Sequence, residues 1–276
     1  MTINNFASNQ LNTSMIRIAT GQRINSARDD AAGLGISEML TTQITGLDRG
    51  TQNVMDMQNL IRTAEGGLSN ISDSLHRIRE LSVQSLNGTL TDSDRQNLQF
   101  EIDALIEEID DVTQRTEFNT MRLLDGSFSA QDGRGLHTAA DAMGRGPTVH
   151  IGNMTASMLL GPEPYDLIAD AQREVPPEAP VPPLQSSLLQ RVDEALMRVT
   201  RERSYLGAMD NRFDTTIASN QITNLNLTAA RSGIRDADIA LELMRMNQQQ
   251  VLEQSQIAAQ RRRQEHNGAQ ILSMLA

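Results

Sequence analysis

Apolar residues recur every seven positions in three stretches of this chain. The first carries Leu47, Val54, Ile61, Leu68 and Leu75, with Met57, Ala64, Ile71 and Ile78 as a second stripe. The next has Leu98, Leu105 and Val112, joined by Ile102 and Ile109. The third runs through Val192, Val199, Leu206, Phe213, Leu227, Ile234 and Leu241, broken only by Asn220. Beyond it Met244, Val251 and Ala258 keep the step of seven. Such a repeat draws one narrow apolar seam along a helix, and that seam is buried only against other helices. The pattern predicts a mainly α fold of long packed helices from both chain halves. Leu68, Leu75, Ile78, Val199, Leu206 and Phe213 are expected in one bundle core.

Punctuation divides the chain. All eight prolines fall between Pro147 and Pro183, with helix-compatible sequence on both sides. The first long helix is expected over about 37–86, running through Gly66-Gly67 and ending at Asn87-Gly88-Thr89. Thr91-Asp92-Ser93-Asp94 starts the next, with hydroxyl and acidic residues suited to capping free amides. In the middle, Asp125-Gly126-Ser127 and Asp132-Gly133-Arg134-Gly135 are turn signals, and Thr148-Val149-His150-Ile151 is a strand candidate. One small β-hairpin element is therefore expected between about 123 and 160. Residues 174–183 (EVPPEAPVPP) read as an extended connector. At the chain ends, Leu11, Met15 and Ile18, and again Ile271, Leu272 and Leu275, make short amphipathic segments. Helices so weakly seamed depend on packing, so the ends are expected to order inside an assembly.

Composition narrows the function. Aromatic residues make up 3% of the chain and Trp is absent, which disfavours a thick globular core. A net charge of −11 argues against a nucleic-acid partner, whose phosphates need clustered cations. All 24 basic residues are arginine. The absence of cysteine excludes disulfides and thiolate zinc sites. No apolar run approaches the ~20 residues that span a bilayer, and the opening has no signal-peptide core. Neither membrane insertion nor a cleaved signal is expected. His76, His137, His150 and His266 show no ligand spacing, and no nucleophile elbow, phosphate loop or zinc-protease motif is present. The chain is expected to be no enzyme and to hold no metal or cofactor. Asp29-Asp30, between Arg23 and Arg28 and the following helix, reads as a capped and braced turn.

Several motifs resemble those of bacterial flagellins. They are Arg23-Ile24-Asn25-Ser26-Ala27-Arg28-Asp29-Asp30-Ala31-Ala32-Gly33, Arg77-Ile78-Arg79-Glu80-Leu81-Ser82-Val83-Gln84, and Glu117-Phe118-Asn119 with Leu123-Leu124-Asp125-Gly126. The C-terminal arm is similar through Leu206-Gly207-Ala208, Asn211-Arg212 and Asn226 to Asp238, and the closing Ile271-Leu272-Ser273-Met274-Leu275 resembles the family's terminal apolar run. The likeness covers roughly 15–128 and 188–276, in the family's order.

That resemblance implies a structural subunit that polymerises into the flagellar filament. Residues 1–35 and 240–276 would form an inner domain of terminal helices, and 36–125 with 188–239 an outer helical bundle. Residues 126–187 would be a short β and Pro-rich middle in place of large variable domains. Arg23, Asn25, Asp29, Asp30, Val251, Ile257, Ile271, Leu272 and Leu275 become filament-assembly candidates. Arg261, Arg262 and Arg263 replace a mostly small, uncharged stretch, and are expected to face the aqueous filament channel. Arg77, Leu81 and Glu101 match positions where family members contact the vertebrate Toll-like flagellin receptor, and Leu105 stands where a further arginine is common. Other partners implied are further copies of the chain, the flagellar export apparatus, an export chaperone and the filament cap. The location implied is extracellular. Alternatives are a hook–filament junction protein, or a surface-exposed flagellin homologue acting as a binding module.

Overall fold

The computed structural model describes the backbone of residues 2–130, 134–161, 165 and 188–275, and the side chains of those among them within 10–259 and 261–263. The connector expected over 174–183 lies outside the described residues. The elements are α1 (Thr2–Thr20), α2 (Ala31–Ser85), α3 (Asp92–Arg115), β1 (Glu117–Phe118), β2 (Met121–Arg122), β3 (Leu136–His137), β4 (Thr148–Val149), α4 (Ala156–Leu160), α5 (Leu188–Arg235) and α6 (Ile239–Leu275). The fold is mainly α, as the seven-residue pattern predicts. The chain divides into two compact units, Met1–Thr45 with Ile222–Ala276, and Gly46–Gln221.

The second unit holds the core. Val54, Ile61, Leu68, Leu75 and Ile78 of α2, Ile102 and Ile109 of α3, and Val192, Val199, Leu206 and Phe213 of α5 are buried in one cluster. All six residues expected to share a core do so. On α3 the deepest stripe is Ile102, Ile106 and Ile109, with Leu98 and Leu105 only half-buried against it. Helix α3 begins with a capping box: Asp94 N–H donates to Thr91 Oγ1 at 3.3 Å, and Thr91 N–H donates to Asp94 Oδ2 at 3.0 Å. Hydrogen bonds from Thr91, its hydroxyl first, hold the Asp94 carboxyl below its usual range.

Two features that look like interruptions are packing solutions. Helix α2 runs through Gly66-Gly67, and a Cβ on Gly67 would sit 2.6 Å from Thr116 Oγ1 and 2.8 Å from Leu124 Cδ1. The missing side chain lets the exit of α3 press against α2. Asn220 does not break the seam: it is buried, and its Nδ2 donates to Ala140 O at 2.8 Å.

The β structure is richer than expected. One antiparallel ribbon pairs Leu136 with Val149 and His137 with Thr148. A second pairs Glu117 with Arg122 and Phe118 with Met121, directly after α3. Its turn residues Asn119 and Thr120 have φ of 49° and 65°, the left-handed pair that a two-residue hairpin turn requires. A β-branched threonine rarely takes that conformation, and this hairpin lies outside the 123–160 span in which a β element is expected.

Candidate assembly surface

The first unit is organised by a junction between α1 and α2. Gly21, at φ 67°, ends α1 in a backbone conformation that suits glycine. The chain then lies against the end of α5: Arg23 N–H donates to Arg235 O at 2.7 Å, and Ala237 N–H donates to Gly21 O at 2.9 Å. Two arginines clamp this crossing. Arg23 Nη2 donates to Ile234 O at 2.7 Å, and Arg235 donates to Gln22 Oε1 at 3.1 Å and to Glu38 Oε1 at 3.0 Å. The motifs around Arg23 and around Arg235, more than two hundred residues apart, thus complete each other. Ile24 is buried at their crossing.

The acidic pair of the first motif serves the backbone. Asp29 Oδ2 accepts from the N–H groups of Asn25 and Ser26 at 3.2 and 3.0 Å, and from the Ser26 hydroxyl at 3.0 Å. The Ser26 hydroxyl is the largest of the causes that hold its carboxyl below the usual range. Asp30 Oδ1 accepts from Gly33 N–H at 2.8 Å and so caps α2. Asn25 Nδ2 donates to Gln22 O at 3.0 Å. Arg23, Asn25, Asp29 and Asp30 therefore shape this junction within one chain.

Helix α1 packs against α6. The contact is polar where it is deepest. Glu242, 3% exposed, accepts from Ser14 Oγ at 3.2 Å, Arg17 Nη1 at 3.4 Å and Arg245 Nη1 at 2.9 Å. Along α6 the less exposed positions are Glu242, Met246, Gln249, Glu253 and Gln256, spaced four and three apart. The stripe expected to continue the seam lies opposite: Met244 is 61% and Val251 65% exposed, and Ala258 is exposed too. At 100° per residue, 244, 251 and 258 fall about 180° from 242, 249 and 256. The short break at 236–238 resets the helix phase, so the periodicity of α5 does not carry into α6. Leu241, expected in the α5 seam, is consequently exposed. Ile257, Arg261, Arg262 and Arg263 are exposed as well, while the side chains of Ile271, Leu272 and Leu275 lie outside the described residues.

Arg77 and Glu101 stand on the surface of the second unit. Arg77 Nη2 lies 2.7 Å from Glu101 Oε1, and its Nη1 lies 3.2 Å from Glu80 Oε2. Glu101 first and Glu80 second raise its already high pKa, so the guanidinium stays charged. Leu81, the third residue of that set, is 1% exposed and belongs to the core cluster.

Sequence reasoning missed Glu242. The signal was a second seven-step set, Glu242, Gln249 and Gln256, beside the apolar one, and hydrophobicity alone ranks the apolar set first. Among the described residues no group of three acidic or histidine side chains is arranged to hold a metal ion, and no helix is long and apolar enough to cross a membrane.

Comparison with known proteins matches both ends of the chain. The profile of the bacterial flagellin N-terminal helical region matches residues 1–129, and that of the C-terminal helical region matches 189–274. The flagellar filament 30.7 kDa core protein of Treponema maltophilum is 37% identical over 96% of this chain and 93% of its own length. The flagellin of Bacillus subtilis is 36% identical over 98% and 96%. A putative flagellar hook-associated protein from Vibrio parahaemolyticus shares the fold, with a TM-score of 0.55 over 75% of this chain and all of its own, at 19% identity.

Proposed function

The chain belongs to the bacterial flagellin family, and from that premise we propose how its geometry serves its role. It is a structural subunit of the flagellar filament, which is extracellular, and it assembles with further copies of itself. The observation that carries this reading is the match of both terminal regions to one family, with their motifs clamped together at the Arg23–Arg235 crossing. Identical subunits that meet through unlike surfaces build an open helical lattice. The outward stripe of Met244 and Val251 offers apolar area for such contacts.

Within this reading, residues 1–35 and 240–276 supply the inner domain of terminal helices, and 36–125 with 188–239 the outer helical bundle. Arg261, Arg262 and Arg263 face the aqueous channel, since burying unpaired guanidinium groups costs several kcal/mol each. Export through the flagellar apparatus, with a chaperone and a filament cap as partners, completes the path. Arg77 and Glu101, exposed and paired, are with Leu81 the candidates for a Toll-like receptor contact. The test is seeded growth: purified chain added to filament fragments should extend them under the electron microscope. Chain that stays monomeric beside competent seeds would overturn the reading.

A further inference from the structure

We propose that Glu242 is a positioning residue that sets the rotation of α6 against α1, and so keeps the apolar stripe of α6 turned outward for assembly. The inference rests on the filament reading and adds to it the device that presents the surface.

The argument starts from an inverted preference. Left to hydrophobicity, Met244 and Val251 would turn towards the half-buried apolar residues of α1, Leu11 and Ile18, and hide there. The structure has the reverse: Glu242 and Gln249 lie on the side towards α1, and the apolar stripe is exposed. Something specific must hold the helix in that phase. The junction hydrogen bonds at Gly21 and Arg23 fix the backbone at the start of the pair. Beyond them Glu242 reaches Ser14 and Arg17 of α1.

Its geometry suits that task. Ser14 and Arg17 are three apart on α1, and Glu242 and Arg245 three apart on α6, so each pair shares a helix face. Both carboxylate oxygens of Glu242 are engaged, one by Ser14 and the other by Arg17 and Arg245. Rolling α6 by half a turn would carry the carboxylate away from Ser14 and Arg17 and put Met244 in its place. Stability is a poor rationale for such a group: buried ion pairs are often matched or bettered by apolar residues of similar size. Arg17 Nε is moreover buried without a hydrogen-bond partner among the described residues. Fixing one arrangement against others is the best-attested use of such polar groups in helix pairs.

The chain has no cysteine, so introduced pairs report cleanly. One pair, Leu11→Cys with Met246→Cys, joins residues on the facing sides; the other, Leu11→Cys with Met244→Cys, requires the rolled helix. Mild oxidation should cross-link the first pair and not the second within otherwise unchanged chains. Adding Glu242→Leu should shift cross-linking to the second pair and raise the critical concentration for seeded growth about tenfold or more, which is about 1.4 kcal/mol. Glu242→Gln, which still accepts from Ser14, should fall between. An unchanged cross-linking pattern in Glu242→Leu chains that keep the wild-type thermal transition of the core would overturn the proposal. Failure of the unchanged chain to extend seeds would instead count against the filament reading, because the cross-linking pattern does not depend on growth.

Discussion

In the unit of Gly46–Gln221, residues at seven-step spacing such as Leu68, Leu75, Leu206 and Phe213 all point into one core. In the unit of Met1–Thr45 and Ile222–Ala276, Met244 and Val251 keep the same spacing and point to solvent, while Glu242 points in. One periodicity therefore has two uses. Where apolar seams from three helices meet within the chain, burial of apolar area makes the unit self-sufficient. Where the chain supplies polar residues to the inside, the apolar stripe is left exposed. A seven-residue repeat thus shows that a helix has an apolar stripe, and leaves open whether its partner is in the same chain.

The largest effect expected from this contrast is functional. Deleting residues 260–276 should abolish seeded growth, because it removes the terminal apolar run Ile271, Leu272 and Leu275, and should leave the core of the second unit folded. Electron microscopy reads the first, and the thermal transition by circular dichroism the second. A truncated chain that still extends filaments would break the comparison. Next comes stability. Leu75→Ala removes a fully buried side chain and should cost about 2–5 kcal/mol in denaturant unfolding. Val251→Ala removes an exposed one and should stay within about 0.5 kcal/mol, while slowing growth. Equal costs at the two sites would mean that the stripe of α6 is not free. A smaller effect sharpens the picture of the core: Gly67→Ala forces a methyl group against Thr116 and Leu124 and should cost about 1–3 kcal/mol. A neutral result would show that α2 and the exit of α3 can separate.

Most of the second unit was legible in the sequence because its period matches what it buries. Leu68, Leu75, Ile78, Val199, Leu206 and Phe213 could be placed in one core from spacing alone, and the capping box at Thr91–Asp94 follows from residue chemistry. The Asn119–Thr120 turn was not legible, since only tertiary packing holds a threonine at positive φ. The site was readable in part. The Asp29-Asp30 turn follows from capping chemistry, whereas the rotation of α6 does not, because Leu241, Met244 and Val251 compete with Glu242, Gln249 and Gln256 at one spacing. Leu81 shows the same limit, its core position being decided by neighbours outside its motif.

The smallest expected effect sets one carboxyl of each unit against the other by pH. Asp29 is held below its usual range, by the Ser26 hydroxyl first and then by backbone N–H groups. A depressed folded pKa contributes stability that is present above the unfolded value and lost as pH falls through the folded one. Glu202 of α5 is the opposite case: burial raises its pKa, and the Gly152 N–H, 3.0 Å from Oε1, offsets only part of that. A raised folded pKa means that the folded state favours the protonated acid. Its contribution is full below the unfolded value and is lost as pH rises through the folded one. Acidification through the carboxylate range should therefore weaken the Asp29 turn and relieve Glu202. Asp94 and Asp141 of the second unit are lowered as well, so the whole-chain profile mixes these signs. Differences between variants separate them. The stability of wild type relative to Asp29→Asn should shrink as pH falls, and relative to Glu202→Gln it should grow, with hydrogen exchange at the α2 start and at Gly152 reading each site. Parallel trends in the two differences would mean that burial does not dominate at Glu202, and that the hydrogen-bonded turn of one unit and the partly buried acid of the other respond to protons alike.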